Sequence, residues 1–453
     1  MTDHCTELQR ILSKGPSPAR ELMAQLRVSQ PTLSRTLQRM GEAVVRFGPL
    51  RATQYALRDE FRGLRECSVY RVSEAGRLHR LGTLLPVRPE GFVMCRDDGR
   101  SDYTEGLPWW LLDMRPQGFL GRAYAQQHGP MLGLSPHVQE WTDTQALRAL
   151  LTHGTDAVGN LLLGDTAREQ FIHAPPPQAI ATPDKGARYG RLAAATATVG
   201  NTWSSAGGEQ PKFCTYADTA AGPRHVLVKF TVAHHNPITE RWRDLLLAEH
   251  LALQTLHQAG LAAAQSCIID HEGQRFLEVQ RFDRSGERGR RALLSLEALS
   301  AEFIGDLRSP WPVVTMALAE KRAPKPIITA QAAETAALLY AFGQLIGNDD
   351  MHQGNLSFTT EEDQGRPYQL APAYDILPMA FRPPTSGDLR HTLAPVVLHP
   401  SVRHATWQHA LQLARSYLDL LQTTACWSAD FIPCLYALDQ HIADAEAKIA
   451  RLG

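Results

Sequence analysis

Gly347-Asn348-Asp349-Asp350-Met351-His352-Gln353-Gly354-Asn355-Leu356, followed by Ala373-Tyr374-Asp375, is the stretch that decides how this chain is read. Asp350 and Asn355 lie five apart, the spacing of a kinase's catalytic Asp and metal-binding Asn, and Asp375 stands where a second metal-binding Asp is expected. Phosphoryl transfer from ATP needs Mg²⁺ on hard oxygen ligands and a hydroxyl oriented for in-line attack, and two Asp with one Asn can supply both. Between Asn355 and Asp375, Leu356-Ser357-Phe358, the polar turn Glu361-Glu362-Asp363-Gln364-Gly365-Arg366 and Tyr368-Gln369-Leu370 predict a β-hairpin that returns Asp375 to Asn355. A lone Asp-Asp pair is usually a helix-end turn. The complete set argues for a site.

A matching half lies upstream. In Ser204-Ser205-Ala206-Gly207-Gly208-Glu209-Gln210-Pro211-Lys212-Phe213, the glycines let backbone N–H groups approach phosphate oxygens beside Ser204, Ser205 and Lys212. No GxxxxGK[ST] is present, so this is not a Walker loop. The apolar strand Val226-Leu227-Val228-Lys229-Phe230 follows, and its Lys229 needs an anionic partner, either ATP phosphates or a helix carboxylate. A helix over 239–258 offers Glu240 and Glu249. Glu249, among Leu245, Leu246, Leu247 and Leu251, is preferred, because an acidic residue at the helix start is explained by the dipole alone. Next, Phe276 to Arg284 reads as an edge strand entering a connector, where backbone groups and Phe282 would hold an adenine ring.

The first sixty residues have another character. Leu8, Ile11 and Leu12 mark one helix, Ser17-Pro18 an N-cap and N1 before a second bearing Leu22, Met23 and Leu26, and Ser29 caps a third with Pro31 in its first turn. Leu33, Leu37 and Met40 form the buried stripe of that third helix and leave Gln30, Thr32, Ser34, Arg35, Gln38 and Arg39 outside. Val44 to Phe47, the turn Gly48-Pro49, and Thr53 to Leu57 predict a two-stranded wing carrying Arg46 and Arg51. The segment resembles a winged helix-turn-helix. Residues 1–58 hold nine Lys or Arg against four acids, an excess of five on a chain of net charge −1. That patch suits duplex DNA, with Gln30, Thr32, Ser34, Arg35, Arg39, Arg46 and Arg51 as contacts. The rival is a helical docking or dimerisation module.

Composition bounds the rest. At 453 residues and 43% hydrophobic, the chain has room for two to four domains, and its net charge gives no global bias toward nucleic acid or membrane. The seven cysteines (Cys5, Cys67, Cys95, Cys214, Cys267, Cys426, Cys434) are never spaced as CxxC and read as reduced thiols rather than a disulfide or zinc framework. With no signal peptide pattern and no run of about 18 apolar residues, a cytoplasmic protein is expected. Strands are expected at 68–72, 78–84 and 92–95, and the aromatic, more helical stretch from Trp109-Trp110 to about residue 165 is assigned to core.

Together SSAGGEQPK, VLVK, VQRFDR, IGNDDMHQGN and APAYD resemble the HipA family of serine/threonine kinases, toxins of bacterial toxin–antitoxin systems, and the amino terminus resembles members that carry a winged helix. The resemblance implies an α+β, two-lobed kinase-like fold, with a mainly β N-lobe and an all-α C-lobe behind the winged helix. The expected domains are 1–62, 63–285 and 286–453. It implies ATP and Mg²⁺ as cofactors, Asp350 as catalytic base, and Lys229 with Glu249 as its ion-paired support. Asn355 and Asp375 would be the metal ligands. Ser205, Ala206, Gly207, Gly208, Lys212, Lys229, Gln280, Phe282 and His352 would line the nucleotide site. It implies autophosphorylation at Ser204, with Ser205 as rival. Implied partners are a protein substrate such as a translation factor or aminoacyl-tRNA synthetase, a HipB-like antitoxin and duplex DNA, with no membrane.

Two other classes compete. In one, the body only senses nucleotide and the protein is a transcriptional regulator; Lys229, Asp350, Asn355 and Asp375 all being intact speaks against it. In the other, Asp349, Asp350 and His352 form a hydrolytic metal site, for which no second His/Asp cluster exists in the sequence.

Overall fold

The structure is a computed structural model that describes residues 4–49, 52–199, 210–321, 325–360, 365–384 and 388–452. Its amino terminus is a winged helix: α1 (His4–Leu12), β1 (Ser17–Pro18), α2 (Ala19–Leu26), α3 (Gln30–Met40), β2 (Val44–Phe47) and β3 (Gln54–Leu57), with the strands ordered β1-β3-β2. Leu8, Ile11, Leu12, Leu22, Leu26 and Leu33 form its core, with Leu37 and Met40 packed alongside. Three local details differ from expectation. Ser17-Pro18 is a strand, and Pro18 itself sits at the cap position of α2. Ser29 occupies the cap of α3 but shares a hydrogen with the Thr32 hydroxyl (3.1 Å) instead of accepting from the backbone. Thr36 joins Leu33 as the buried pair of α3, its hydroxyl donating to the Thr32 carbonyl at 2.9 Å, which satisfies the polar atom inside.

The wing does not stand apart. Val45, Phe47 and Ala56 bury their face against Leu85, Val87 and Val93 of the next module. That module is an antiparallel sheet of β4 (Cys67–Val72), β5 (Leu78–Val87), β6 (Gly91–Arg96), β7 (Ser101–Thr104) and β8 (Leu161–Leu163), ordered β7-β6-β5-β4-β8. The β4/β5 register shifts at Val69/Tyr70. Across from it Gly82 adopts φ +149°, where an added Cβ would lie 2.1 Å from the Cys95 carbonyl oxygen, so only glycine fits. Helices α4 (Gly118–His128), α5 (Asp143–His153) and α6 (Gly164–His173) complete the module, and α5 opens with a Thr142/Gln145 capping box.

After α7 (Lys185–Val199) comes a second sheet: β9 (Lys212–Thr219), β10 (Gly222–Phe230), β11 (Ser266–His271) and β12 (Gln274–Gln280), ordered β11-β12-β10-β9, with α8 (Pro237–Gln258) between β10 and β11. The segment 63–285 thus contains two sheets with separate cores. β12, expected at an edge, is central, paired with both β10 and β11. Its apolar run Phe276-Leu277 and Val279 suits a strand covered on both faces. On one face Phe213, Val226, Val228, Phe230 and Phe276 pack under Tyr189 of α7, each fully buried aromatic contributing about 1.5–3 kcal/mol.

The carboxy-terminal lobe follows short strands β13 (Arg284–Ser285) and β14 (Gly289–Arg290). Beyond a small sheet of β15 (Leu294–Ser295), β16 (Ser357–Thr359) and β17 (Gln369–Leu370) it is helical: α9 (Leu296–Phe303), α10 (Trp311–Glu320), α11 (Ala330–Leu345), α12 (His404–Thr423) and α13 (Ile432–Ile449). Helix α8 bridges the lobes. Leu246 packs with Leu277 and Val279 of the sheet, whereas Leu245, Leu253 and Leu256 belong to the helical core. Fully buried Arg241 donates from α8 to the carbonyls of Phe381 (2.9 Å), Arg390 (2.8 Å) and Asp430 (3.1 Å). Among the described residues no helix is long and apolar enough to cross a membrane.

Candidate active site

Strand alternation places Lys229 on the face of β10 opposite Val228 and Phe230, toward α8 and the helical lobe. There its ammonium donates to both carboxylate oxygens of Glu249 (2.8 and 2.7 Å) and to Oδ1 of Asp375 (2.6 Å). Glu240, the other candidate, turns instead to His235 and Arg243. Burial alone would lower the Lys229 pKa, but the charges of Asp375 and Glu249 outweigh it and hold the ammonium form. Burial pushes the Glu249 carboxyl up against the pull of Lys229. At Asp375 the same desolvation is overcome by Lys229 and Lys212, and the carboxyl is held below its ordinary range.

Asp375 has φ +57°, a left-handed conformation that costs a non-glycine residue on the order of 1 kcal/mol. Its neighbours hold it there. The Ala373 N–H donates to the Ala262 carbonyl (2.9 Å) and the Ala264 N–H to the Ala373 carbonyl (2.8 Å), so the strand before Asp375 is pinned to the segment after α8. The Tyr374 hydroxyl donates to the Gly354 carbonyl (3.0 Å) and lies 2.7 Å from the Ser357 hydroxyl. The β16/β17 pairing is the hairpin that the sequence predicts, and it brings Asp375 to the Asn355 loop.

Within that loop the Asn355 amide donates to the Asp350 carbonyl (2.9 Å), and the Asp350 N–H donates to Oδ1 of Asn348 (3.1 Å). Asp350 is half-buried; burial raises its pKa, with His352 opposing and Asp375 adding to the rise. Asp349 pairs with Arg382. His352 is exposed, its Nδ1 accepting the Gly354 N–H at 3.1 Å. The donors fit a magnesium ion: one carboxylate and one amide oxygen on adjoining loops leave room for the phosphates and waters that Mg²⁺ retains. Among the described residues no group of three or more His, Cys, Asp or Glu side chains could hold a metal unaided, which removes the geometry a hydrolytic Asp349/Asp350/His352 centre would need.

These groups open on a cleft of about 600 Å³ lined by Lys212, Lys229, Glu249, Asn355 and Asp375 at one end and by Gln280, Phe282 and Tyr374 at the other. Phe282 packs its ring 5.6 Å from that of Tyr374. Among the described residues its backbone N–H and C=O have no hydrogen-bond partner, which leaves one donor and one acceptor for a planar heterocycle. Gln280 donates its own N–H to the Gln265 carbonyl (2.8 Å).

Ser204, Ser205, Ala206, Gly207, Gly208 and Arg51 lie outside the described residues. Of the proposed DNA contacts, Gln30, Ser34, Arg35, Arg39 and Arg46 are exposed and Thr32 is half-buried. The sequence reading missed the wall of the cleft furnished by the module before the second sheet, including Arg115, Tyr124, His153 and Asp156. No motif marks these residues; their place follows from how two modules pack.

The chain matches the family model described as YjjJ-like toxin, middle domain, over residues 64–172, and that described as HipA-like C-terminal domain over residues 204–426. It is 37% identical over 450 residues to Toxin YjjJ of Escherichia coli (strain K12), covering 99% of this chain and 100% of the relative. Among solved structures it is similar to HipA of Shewanella oneidensis MR-1, in a complex with HipB and its operator DNA, at a TM-score of 0.46 and 13% identity, covering 85% of this chain and 97% of that one. It is also similar to the Helicobacter pylori proinflammatory kinase CtkA, at a TM-score of 0.38 and 14% identity, covering 54% of this chain and 93% of that one.

Proposed function

The chain belongs to the HipA-like toxin family, in its YjjJ-like branch, and from that premise we propose that it is an ATP-dependent protein serine/threonine kinase. The observation that carries the reading is Lys229 held between Glu249 and Asp375 at one end of the cleft. A buried lysine with two carboxylates, beside an Asp and an Asn five residues apart, is the arrangement phosphoryl transfer requires.

ATP would bind with its base against Phe282 and Gln280 and its phosphates toward Lys229 and Lys212, and Mg²⁺, held by Asn355 and Asp375, would neutralise phosphate charge. Asp350 accepts the proton of a serine or threonine hydroxyl as that oxygen bonds to the γ-phosphorus. The bond from that phosphorus to the bridging oxygen breaks, and ADP leaves with the electron pair. Burial keeps the Asp350 carboxylate poorly solvated and so a better base than an exposed one.

Ser204 is the proposed autophosphorylation site, with Ser205 as the alternative. The substrate is a protein of the translation apparatus, a translation factor or an aminoacyl-tRNA synthetase, and a HipB-like antitoxin restrains the activity. The exposed face of α3 and the wing contact duplex DNA, and the setting is the cytoplasm. The test is transfer of labelled γ-phosphate by the purified full chain with Mg²⁺. Wild type is expected to incorporate label and Asp350→Asn to lose it by about 10²-fold or more; equal incorporation by both would remove Asp350 from its role, and binding of ATP without any transfer would favour a nucleotide-sensing regulator.

A further inference from the structure

Phe282, which lines the cleft and whose backbone N–H and C=O have no hydrogen-bond partner among the described residues, lies between two residues whose side chains are both committed elsewhere. Arg281 extends its guanidinium to Oδ1 and Oδ2 of Asp156 (3.0 and 3.1 Å) and to Oδ1 and Oδ2 of Asp283 (3.1 and 3.0 Å). Asp283 also accepts from Arg284 (2.6 Å) and from the Gly159 N–H (3.2 Å). Arg284 continues to Oδ1 of Asp156 and to the Ala157 carbonyl (both 2.8 Å) and to the Gly159 carbonyl (3.0 Å), while Arg290 donates to the Thr155 carbonyl. Residues 155–159 of the YjjJ-like middle domain are therefore gripped by three arginines of the connector, and Asp156 is the acid that this segment contributes in return.

The charges explain why Asp156 matters. Arg281, Arg284 and Arg290 are buried or nearly so, and among the described residues only Asp283, buried, and Asp156, whose side chain is 62% exposed at the rim of the cluster, pair with them. One guanidinium nitrogen of Arg290 is already buried without a hydrogen-bond partner among the described residues. Without Asp156, three cations would face one carboxylate, and Arg281 would lose the partner of Nη1 while keeping its two-nitrogen contact with Asp283. Its guanidinium would then be held by Asp283 alone, and the two peptides that flank the Phe282 side chain, one carrying its N–H and the other its C=O, would lose part of the support that fixes them. A misplacement of about 1 Å suffices to weaken a two-point hydrogen-bond contact.

We infer that Asp156 of the middle domain is a positioning residue for the base end of the nucleotide cleft, fixing through Arg281 and Asp283 the Phe282 backbone that reads the purine edge. The inference rests on the kinase reading above. It makes the middle domain a working wall of the site, and it confines the effect to the base end because the phosphate end is held by Lys229, Glu249 and Asp375 in other elements.

The experiment compares full-length wild type, Asp156→Ala, Asp156→Asn and Asp156→Glu. It records Kd for a non-hydrolysable ATP analogue with Mg²⁺ by calorimetry, KM and kcat for ATP in self-phosphorylation, and Tm. The Ala and Asn variants are expected to raise Kd and KM about tenfold with kcat within about twofold, and Glu to restore both most of the way. Unchanged Kd in Ala and Asn, a fall in kcat at constant KM, or a Glu variant as impaired as Ala would overturn it. Should Asp156→Ala fail to fold, Asp156→Asn, of equal size and retaining one acceptor oxygen, decides; failure of both to fold would overturn it in favour of a purely structural role. Wild type that binds no ATP analogue would overturn the kinase reading and this inference with it, whereas wild-type binding matched by every variant overturns only this inference.

Discussion

Lys229 and Asp375, 146 positions apart in the chain, meet at 2.6 Å, and the same ammonium is shared with Glu249 of α8. One cation thus ties the second sheet, the bridging helix and the Asp375 loop of the helical lobe. All three ammonium hydrogens have carboxylate acceptors, so an anion would reach Lys229 only by displacing Glu249 or Asp375 from one of them.

Lys229→Met should destabilise the protein by about 3–5 kcal/mol, because it strands two carboxylates in a buried site. The loss should shrink as pH falls, since protonating Glu249 and Asp375 relieves the stranded charge, and the double variant Lys229→Met/Glu249→Gln should recover part of it at neutral pH. Urea unfolding at pH 5 and pH 8 measures this. A deficit independent of pH would mean that packing, not charge, dominates.

Asp244 gives a pH dependence of defined sign. Its carboxylate accepts from the Ser428 N–H (3.2 Å) and hydroxyl (2.5 Å), with Arg275 favouring and Glu240 opposing its charge, yet burial raises its pKa to about 6. The unfolded value is about 3.9, so folding favours the protonated form. The contribution is full below about pH 4 and is lost as pH rises through about 6, a change of roughly 2–3 kcal/mol. Asp244→Asn should flatten that loss. If wild type and variant differ equally at pH 4.5 and 7.5, Asp244 is ionised throughout.

The exposed face of α3 should bind duplex DNA in the full chain, with affinity falling steeply with salt at a slope of about −0.9 per phosphate neutralised. The full chain is the proper material because the wing buries Val45, Phe47 and Ala56 on the middle domain. Arg35→Ala should lower discrimination between operator and random duplex, whereas Arg46→Ala should weaken both equally. No binding at about 50 mM salt would assign the module to docking.

Phosphate should appear on Ser204 after incubation with ATP and Mg²⁺, be absent from Asp350→Asn, and reduce ATP affinity, because it adds about −1.5 to −2 charge to the glycine-rich stretch expected from the sequence to receive ATP phosphates. Peptide mapping by mass spectrometry checks the position. Label on Ser205 alone would move the site by one residue.

Much of this was legible locally. The alternation Val226-Leu227-Val228-Lys229-Phe230 tells which face carries Lys229, and the burial of Glu249 among leucines tells which glutamate can reach it, because side-chain direction follows from strand and helix periodicity. The β16/β17 hairpin was legible for the same reason. The position of β12 was not: an apolar strand reads alike at an edge or at the centre until its neighbours are known.

By itself, then, the sequence determined the faces that its periodic elements present and a set of candidate residues for phosphoryl transfer, since these depend on chemistry within a few neighbouring positions. Only the tertiary structure decided that the wing is docked, that Lys229 is shared between Glu249 and Asp375, and that Asp156 reaches the connector 125 positions away. Charges that meet across modules leave no period or spacing in the chain. Their pairing is fixed by the burial of apolar surface that brings the modules together, and only afterwards by the charges themselves.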